Sequence, residues 1–287
     1  MRRKRSLAEI HAAVLLFGIA GLFGKWIALP PVIIVLGRVF FATITLVFIL
    51  GLKRSKFSLP GRYNYPILLS LGILLAVHWI SFFTSIQIST VAVGLLSYSS
   101  FPVFTAFFEP LFFRERLERI NIFFALLCVA GVYLIIPSFS LSNAIFRGVL
   151  WGLLSGLSFA ILTLFNRKLS QKHSALVIAF YQDAFATVFL LPFFFFLSPA
   201  LEVKNLILLI LLGVFCTAFS HSLFIGGMRF VKAQTASVIS SLEPVYGIIL
   251  ASILLGEVPS MRTIWGGVLI LGTAFAVTLK AVKGARK

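Results

Sequence analysis

The sequence predicts an all-α polytopic membrane protein with about ten transmembrane helices in two inverted-topology five-helix repeats. Of its 287 residues, 60% are hydrophobic and 11% are charged, whereas a soluble domain usually carries about 25% charged residues. The apolar residues gather in runs of about 20, the length that crosses a bilayer as a helix. Lysine and arginine residues concentrate in alternate connections between these runs. Lipid must therefore surround most of the outer surface.

Ten apolar runs are separated by short connections, none long enough to form a separate soluble domain. Pro30 and Pro31 divide the first two runs, because proline disfavours helix continuation. The stretch that follows Arg5 is too long for a signal peptide and lacks a small-residue cleavage site, so it is interpreted as the first span. The predicted spans are 10–29, 32–52, 65–87, 91–113, 119–136, 147–166, 175–197, 205–228, 234–255 and 262–280.

The distribution of positive charges predicts the orientation. With the N-terminus in the cytoplasm, 20 of the 25 lysine and arginine residues fall in cytoplasmic segments, and three, Arg147, Lys204 and Arg262, fall in outer loops. The other two, Lys25 and Arg38, lie within spans. Cytoplasmic loops carry the excess of Lys and Arg, and a missed helix would invert every later loop. The sequence thus predicts a multi-pass protein of the bacterial inner membrane with both termini in the cytoplasm.

Composition and motifs argue against several other classes of protein. The net charge of +17 would indicate nucleic acid in a soluble protein, but here the basic residues act as topology signals, so no nucleic-acid partner is predicted. Cys128 and Cys216 lie inside apolar runs and are predicted to be buried hydrophobes. The sequence has no Gly-x-Ser-x-Gly, Walker or His-Glu-x-x-His motif. No cofactor, metal or ATP-driven mechanism is therefore predicted.

Spaced motifs shared by the two halves predict an internal repeat. Pro102 and Glu115 recur 142 residues later as Pro244 and Glu257. A Phe-Ala-Thr tripeptide also recurs at an offset of 144 residues. Two proline–glutamate pairs at one spacing, on equivalent spans, are much stronger evidence than a single tripeptide.

The repeats are predicted at 10–137 and 147–280. Each has five spans, an odd number, so the second half enters the membrane from the opposite side. Inverted repeats are typical of secondary transporters that work by alternating access around a site near the membrane midplane. Two similar halves inserted in opposite directions can exchange conformations of nearly equal energy. The sequence therefore predicts transport of a small solute by a protein that is not an enzyme.

This pattern resembles the drug/metabolite transporter superfamily, and in particular its EamA-type branch, over roughly residues 10–280. The resemblance implies export of amino acids or similar small organic metabolites, with membrane lipid around the protein. Uptake by the same fold is one alternative. A membrane-embedded enzyme acting on lipid-linked substrates is another, which the short loops disfavour. In the first half, Phe113-Arg114-Glu115 departs from the glycine–glutamate pair more usual in the family. Substrate, direction, coupling ion and oligomeric state, monomer or homodimer, stay open.

Away from the first and last residues of the predicted spans, the titratable side chains of most interest are Lys25, Arg38, His78, Glu109, Asp183, His221 and Glu243. A charge near the bilayer centre costs at least about 2.5–3.5 kcal/mol, so such residues usually face an interior cavity. Glu243 lies near the middle of the ninth span, directly before Pro244, which removes a backbone donor and frees a carbonyl. We predict that Glu243 lines the central cavity, where it binds a substrate amine or exchanges a proton. A protonated packing residue is the alternative.

The other charges have predicted structural or pathway roles. Arg38 is predicted to bind a substrate carboxylate or to form a structural ion pair. Lys25 is predicted to extend to the lipid headgroups, with attraction of anions to the outer mouth, together with Arg38, as the alternative. Asp183 is predicted to pair with a neighbouring helix or with inner-loop cations, and Glu109 to pair with nearby arginines at the interface.

Polar and aromatic residues on shared helix faces complete the predicted pathway. Trp151, Ser155 and Ser158, for example, are predicted to form one polar-aromatic face of the sixth span. Pro102, Glu115, Pro244 and Glu257 are predicted to be structural motifs of the repeat. The residues predicted for the substrate or ion pathway are Glu243, Arg38, His78, Trp79, Tyr98, Trp151, Ser155, Ser158, His221 and Ser240.

Two further patterns concern packing. Gly148, Gly152 and Gly156 form a ridge of small residues on the sixth span, which predicts close contact with a neighbouring helix. The 32 phenylalanines are predicted to face lipid.

Overall fold

The computed structural model describes residues 2–54, 64–113, 119–231, 236, 239–240 and 242–284. Within these ranges the chain is helical apart from short turns, and it contains no strand. The all-α class predicted from the sequence is confirmed.

The helices follow the predicted spans closely, with two interruptions. The first half contains α1 (Arg2–Trp26), α2 (Pro31–Leu52), α3 (Asn64–Ile88), α4 (Val91–Tyr98), α5 (Phe101–Phe113) and α6 (Arg119–Ile135). The second half contains α7 (Ala144–Ser170), α8 (Ala175–Leu197), α9 (Val203–Gly213), a π-helical segment (Val214–Phe219), α10 (Ser220–Gly227), α11 (Glu243–Leu254) and α12 (Met261–Gly284).

Seven segments of the described chain are long and apolar enough to cross a membrane. Three shorter apolar helices, Ile122–Ile135, Glu243–Leu254 and Met261–Ala276, correspond to the remaining predicted spans. Large apolar side chains such as Phe48, Phe196 and Ile253 are exposed on the outer surface, as lipid contact requires. The protein is therefore a multi-pass membrane protein, while the number of ten crossings stays a prediction.

The predicted fourth span, 91–113, is two helices instead of one. α4 ends at Tyr98, and α5 begins at Phe101 after the turn formed by Ser99 and Ser100. Pro102 is the second residue of α5, where its missing N–H would have no intrahelical partner. Discontinuous helices of this kind commonly form the central sites of transporters.

Pro244 has the same place in α11 that Pro102 has in α5. Glu243 is the first residue of α11, and Pro244 is the second. The prediction that Pro244 frees a carbonyl in the middle of a span is therefore wrong, because proline in the first helical turn removes no intrahelical bond. Glu243 instead begins a helix, and its carboxylate lies near the positive end of the helix dipole.

The glycine ridge on α7 packs against α3 and α4, as predicted. A Cβ atom on Gly152 would come within 2.5 Å of the Ser97 Cβ, and one on Gly156 would come within 2.7 Å of the Tyr98 carbonyl oxygen. The absence of side chains at these positions therefore sets the distance between α7 and α4. This close contact places Tyr98 next to the polar face of α7.

The prediction that phenylalanines face lipid is wrong for a large group of them. Phe82, Phe83, Phe101, Phe159 and Phe224 are buried in the core. Their rings pack edge to face, for example Phe101 on Phe159 with centroids 5.0 Å apart. An aromatic core surrounds the polar residues in the centre of the protein.

Candidate functional site

Arg38 on α2 is completely buried and contacts an aromatic ring, a hydroxyl group and a backbone carbonyl. Its guanidinium carbon lies 3.5 Å from the centroid of the Trp79 ring on α3. Nε donates to Thr217 Oγ1 at 3.0 Å, and Nη2 donates to the Cys216 carbonyl oxygen at 3.1 Å. Nη1 has no hydrogen-bond partner among the described residues. The cation is thus held firmly but keeps one nitrogen available.

The π-helical segment explains why the Arg38 partners are available. Thr217 Oγ1 donates to the Leu212 carbonyl oxygen, five residues earlier, at 2.9 Å. The widened turn directs the Cys216 carbonyl and the Thr217 hydroxyl toward α2. Single π-helical turns inside α-helices are frequent at functional sites. The sequence contains no obvious signal for this turn, so both Arg38 partners were missed.

His78 on α3 contacts the polar face of α7. Its Nδ1 lies 3.0 Å from both the carbonyl oxygen and the Oγ of Ser155. Its ring packs against Trp79 at 4.5 Å and against Phe159 at 5.1 Å between centroids. Nε2 has no hydrogen-bond partner in the part of the chain that the structure describes. His78 therefore links Trp79 on α3 to Ser155 on α7.

Glu243 supplies the carboxylate of the site. It is 2% exposed, and the Tyr98 hydroxyl lies within hydrogen-bonding reach of it. Its Oε2 has no partner among the residues described. No direct ion pair joins Glu243 to Arg38 among the described residues. An arginine and a carboxyl group are therefore both buried in the centre of the protein, each with a polar atom that has no partner among the described residues.

We call this group the central cluster, and both halves of the chain contribute to it. All six side chains are buried in this conformation. Helices must move before water or a solute can enter. The cluster consists of Arg38, His78, Trp79 and Tyr98 from the first half and Ser155 and Glu243 from the second half.

Several other predicted pathway residues lie near or outside the cluster. Ser158 is buried but donates within its own helix, to Leu154 and Ser155 carbonyl oxygens. Ser240 is buried, and its Oγ has no partner in the described chain. His221 pairs with Asp183, with Nδ1 and Oδ1 3.9 Å apart.

Trp151 does not join the buried face predicted for α7. Its side chain is 38% exposed and shares the outer arc of the helix with Leu150 and Leu154, whereas Ser155 is fully buried. The spacing i, i+4 places Trp151 and Ser155 near each other, but the boundary of the buried face runs between them. Trp151 therefore does not belong to the buried candidate pathway.

Lys25 does not extend to the headgroups as predicted. Its Nζ donates to the Ser89 carbonyl oxygen at 2.8 Å and lies 3.7 Å from Glu257 Oε1. Glu257 Oε2 in turn accepts from the Val91 backbone N–H at 2.8 Å, at the start of α4. Glu257 thus connects α1, α4 and the loop after α11, a structural role that agrees with its place in the repeat motif. Its predicted counterpart Glu115 lies outside the described residues.

Glu109 forms an ion pair between helices. Its Oε1 lies 2.7 Å from Arg167 Nη1, near the ends of α5 and α7. This arginine comes from the second half of the chain, while Arg114 and Arg116, the arginines predicted to pair with Glu109, lie outside the described residues. Arg167 is 58 residues from Glu109 in the sequence, so sequence spacing does not indicate this ion pair.

The chain is similar to known proteins over nearly its whole length. The profile of the EamA-like transporter family matches residues 7–136 and 146–279. The pseudopaline exporter CntI of Pseudomonas aeruginosa (strain UCBPP-PA14) is 32% identical, covering 82% of this chain and 82% of its own. The protein named uncharacterized transporter YxxF of Bacillus subtilis (strain 168) is 26% identical, covering 99% and 92%.

One crystal structure of another protein superposes with a TM-score of 0.71 at 17% identity, covering 98% of both chains, which shows the same fold. The family profile matches most of the sequence, and the relatives carry the names of transporters. The chain therefore belongs to the EamA-like transporter family, within the drug/metabolite transporter superfamily.

Proposed function

We propose that this transporter exports an amino acid or a similar zwitterionic metabolite by alternating access across the bacterial inner membrane. The observation that carries the proposal is the pair of unused polar atoms, Arg38 Nη1 and Glu243 Oε2, in one buried cluster. Buried charges are usually paired or hydrogen-bonded. A small zwitterion supplies a carboxylate for Arg38 and an ammonium for Glu243.

The surroundings of the two charges favour a small organic solute over an inorganic ion. Arginine offers planar donors that match a carboxylate, and the Arg38 guanidinium lies over the Trp79 ring, 3.5 Å from its centroid. The rings of Tyr98 and Phe159 pack against His78, with centroids 5.6 and 5.1 Å away, and make the surroundings of the cluster apolar. Among the relatives, the name of the Pseudomonas protein states export of pseudopaline, which supports the outward direction proposed here.

Alternating access is proposed from the arrangement of the two halves. The predicted repeats, 10–137 and 147–280, have opposite topology, and two separate ranges of the chain match the same family profile. Each half contributes to the central cluster, so relative movement of the halves would open it to one side at a time. The excess of lysine and arginine in alternate loops supports cytoplasmic termini.

Solute flux into and out of proteoliposomes tests the proposal. Purified protein would be assayed with radiolabelled amino acids, matched amines and matched carboxylic acids. We expect zwitterions to move, and we expect Arg38→Gln to weaken solute binding about tenfold or more, since it removes the charge proposed to bind the solute carboxylate.

Two controls separate binding from folding. Arg38→Lys keeps the charge but loses the planar donors, so it should fold and still bind weakly. Trp151→Phe changes an exposed aromatic residue of similar size and should behave as wild type. Flux of amines or carboxylic acids alone, or normal zwitterion binding in Arg38→Gln, would contradict the proposed substrate class.

A further inference from the structure

An apolar groove opens on the outer surface of the helices between α2, α8 and α9. Its volume is about 270 Å³, and every residue that lines it is apolar. An apolar cavity of roughly 150 Å³ is already large enough to bind benzene. Leu36 and Leu209 on the floor are buried, whereas Phe40, Leu191 and Leu206 at the rim are exposed. The groove therefore opens at a surface that faces lipid.

The paths of the three helices explain why this groove exists. A Cβ atom on Gly37 would lie 2.8 Å from the Leu209 Cδ1 atom, so α2 and α9 are in close contact at the groove. α8 ends at Leu197, and Ser198 follows with a left-handed backbone, φ 39°. The chain then turns and packs α9 against α2. This turn leaves a gap beside α8 that the described side chains do not fill.

The length of the groove matches one hydrocarbon chain of a lipid. On α2 the lining runs from Ile33 to Phe41, which is about 12 Å along a helix that rises 1.5 Å per residue. One leaflet of the hydrocarbon core is roughly 15 Å thick. An acyl chain that lies parallel to α2 would therefore have most of its length inside the groove.

Two opposite charges lie at the predicted outer end of the groove. Leu201 and Leu206 line the groove there, and Glu202 and Lys204 lie between them in the chain. Both charged residues are exposed, and no ion pair in the described part of the chain engages either of them. Lysine binds phosphate, and a carboxylate binds an ammonium group. This pair of charges therefore matches a headgroup that carries both a phosphate and a primary amine.

We propose that the groove binds one phospholipid with an ethanolamine headgroup. One acyl chain lies along α2, the phosphate contacts Lys204, and the ammonium contacts Glu202. A headgroup with negative charge alone would meet a like charge at Glu202, which disfavours it.

The groove is next to the contacts that hold Arg38. α9 leads directly into the π-helical segment, which binds the Arg38 side chain. A Cβ atom on Gly213, the last residue of α9, would lie 2.7 Å from the Arg38 carbonyl oxygen. A lipid that fills the groove therefore stabilises the packing of α9 against α2 beside the central cluster. The inference needs no particular substrate and goes beyond the proposed transport.

Native mass spectrometry of the full-length protein tests the proposal. The protein would be delipidated in detergent and titrated with phosphatidylethanolamine. We expect one lipid to bind more tightly than the others and to raise the unfolding temperature by mass action. Leu206→Trp should fill the groove and weaken this lipid about tenfold or more. Leu211→Trp is the matched control, because Leu211 is 40% exposed, Leu206 is 39% exposed, and both lie on α9, but Leu211 does not line the groove.

Variants of the two charges test recognition of the headgroup. Lys204→Gln and Glu202→Gln should each weaken phosphatidylethanolamine about two- to fivefold, the size expected for exposed charge pairs. Glu202→Gln should also reduce the preference for phosphatidylethanolamine over phosphatidylglycerol. Arg262→Gln removes an exposed positive charge outside the groove and should leave binding unchanged.

A second groove variant covers the case in which Leu206→Trp does not fold. Leu191→Trp fills the groove from α8 and should also abolish tight binding and the rise in unfolding temperature. Wild-type lipid binding in both groove variants, or an equal loss in Leu211→Trp, would overturn the proposal. Equal affinity of the wild type for phosphatidylethanolamine and phosphatidylglycerol would contradict the assigned headgroup. Since no solute is added, failure of the proposed substrate class leaves this test unaffected.

Discussion

The guanidinium of Arg38 lies over the ring of Trp79, 3.5 Å from its centroid, and this contact joins α2 to α3 in the core of the protein. The aromatic face stabilises the cation where water is absent. The π-helical segment binds two of the guanidinium nitrogens. The third nitrogen, Nη1, has no partner among the described residues, so the contacts that hold Arg38 are separate from the contact that we propose for the solute.

Removal of the Trp79 ring should weaken both folding and transport. In Trp79→Leu we expect a loss of about 2 kcal/mol from the cation–π contact, together with the packing lost from the cavity. Thermal unfolding in detergent and flux in proteoliposomes would measure the two effects. Trp151→Leu is the matched control, because Trp151 is exposed, and it should change neither. If Trp79→Leu and Trp151→Leu had the same thermal stability and the same flux, the role assigned to Trp79 would be contradicted.

A methyl group on the glycine ridge of α7 should separate α7 from α4. Gly152→Ala places a Cβ within 2.5 Å of the Ser97 Cβ, and overpacking of this kind typically costs about 1–3 kcal/mol. Gly51→Ala is the control, since no atom lies within 4 Å of its added Cβ. Its stability should be unchanged or slightly higher because alanine favours the helix. Thermal unfolding of both variants checks the prediction, and equal stability would contradict it.

Lys25 and Glu257 should be coupled only weakly in stability, even though they connect distant parts of the chain. Their side chains are 25% and 23% exposed, and ion pairs that reach solvent contribute about 0.2–1 kcal/mol. A double-mutant cycle with Lys25→Met and Glu257→Gln would measure the coupling. Lys25→Met should have the larger single effect, because it also removes the donor to the Ser89 carbonyl oxygen, whereas Glu257→Gln keeps a side-chain oxygen that can accept from the Val91 N–H. Fully additive effects would show that the pair makes no direct contribution.

The proposed orientation can be tested by labelling single cysteines from outside intact cells. Ser142→Cys lies in a predicted outer loop, and Lys172→Cys lies in a predicted cytoplasmic loop; both positions are exposed. A membrane-impermeant thiol reagent should label the first and not the second, while the native Cys128 and Cys216 are buried. Labelling of Lys172→Cys alone would show that the orientation is reversed.

The apolar runs predicted the helices well because bilayer thickness fixes their length. The breaks inside spans were harder to predict. The sequence around Ser99 and Ser100 remains apolar enough to look continuous, and the π-helical segment at Val214–Phe219 carries no glycine or proline. Both interruptions depend on contacts with other helices, which one-dimensional patterns do not contain.

Charged residues in the candidate site were predictable, whereas their partners were not. The cost of burying a charge indicated Arg38 and Glu243 without any structure. The partners of Lys25 and Glu109 lie far away along the chain, so only tertiary structure shows them. Trp151 was assigned to the buried face by spacing alone, and spacing does not locate the edge of that face.

The most direct test of the central claim is solute binding and flux in Glu243→Gln across a range of pH. Glutamine keeps the shape of the side chain but neither carries a charge nor titrates. If Glu243 binds the solute ammonium, binding should weaken about tenfold or more at every pH. If Glu243 instead exchanges a proton during transport, binding should persist while the pH dependence of flux is lost. A variant with wild-type rate, affinity and pH profile would contradict both roles and show that Glu243 is a packing residue.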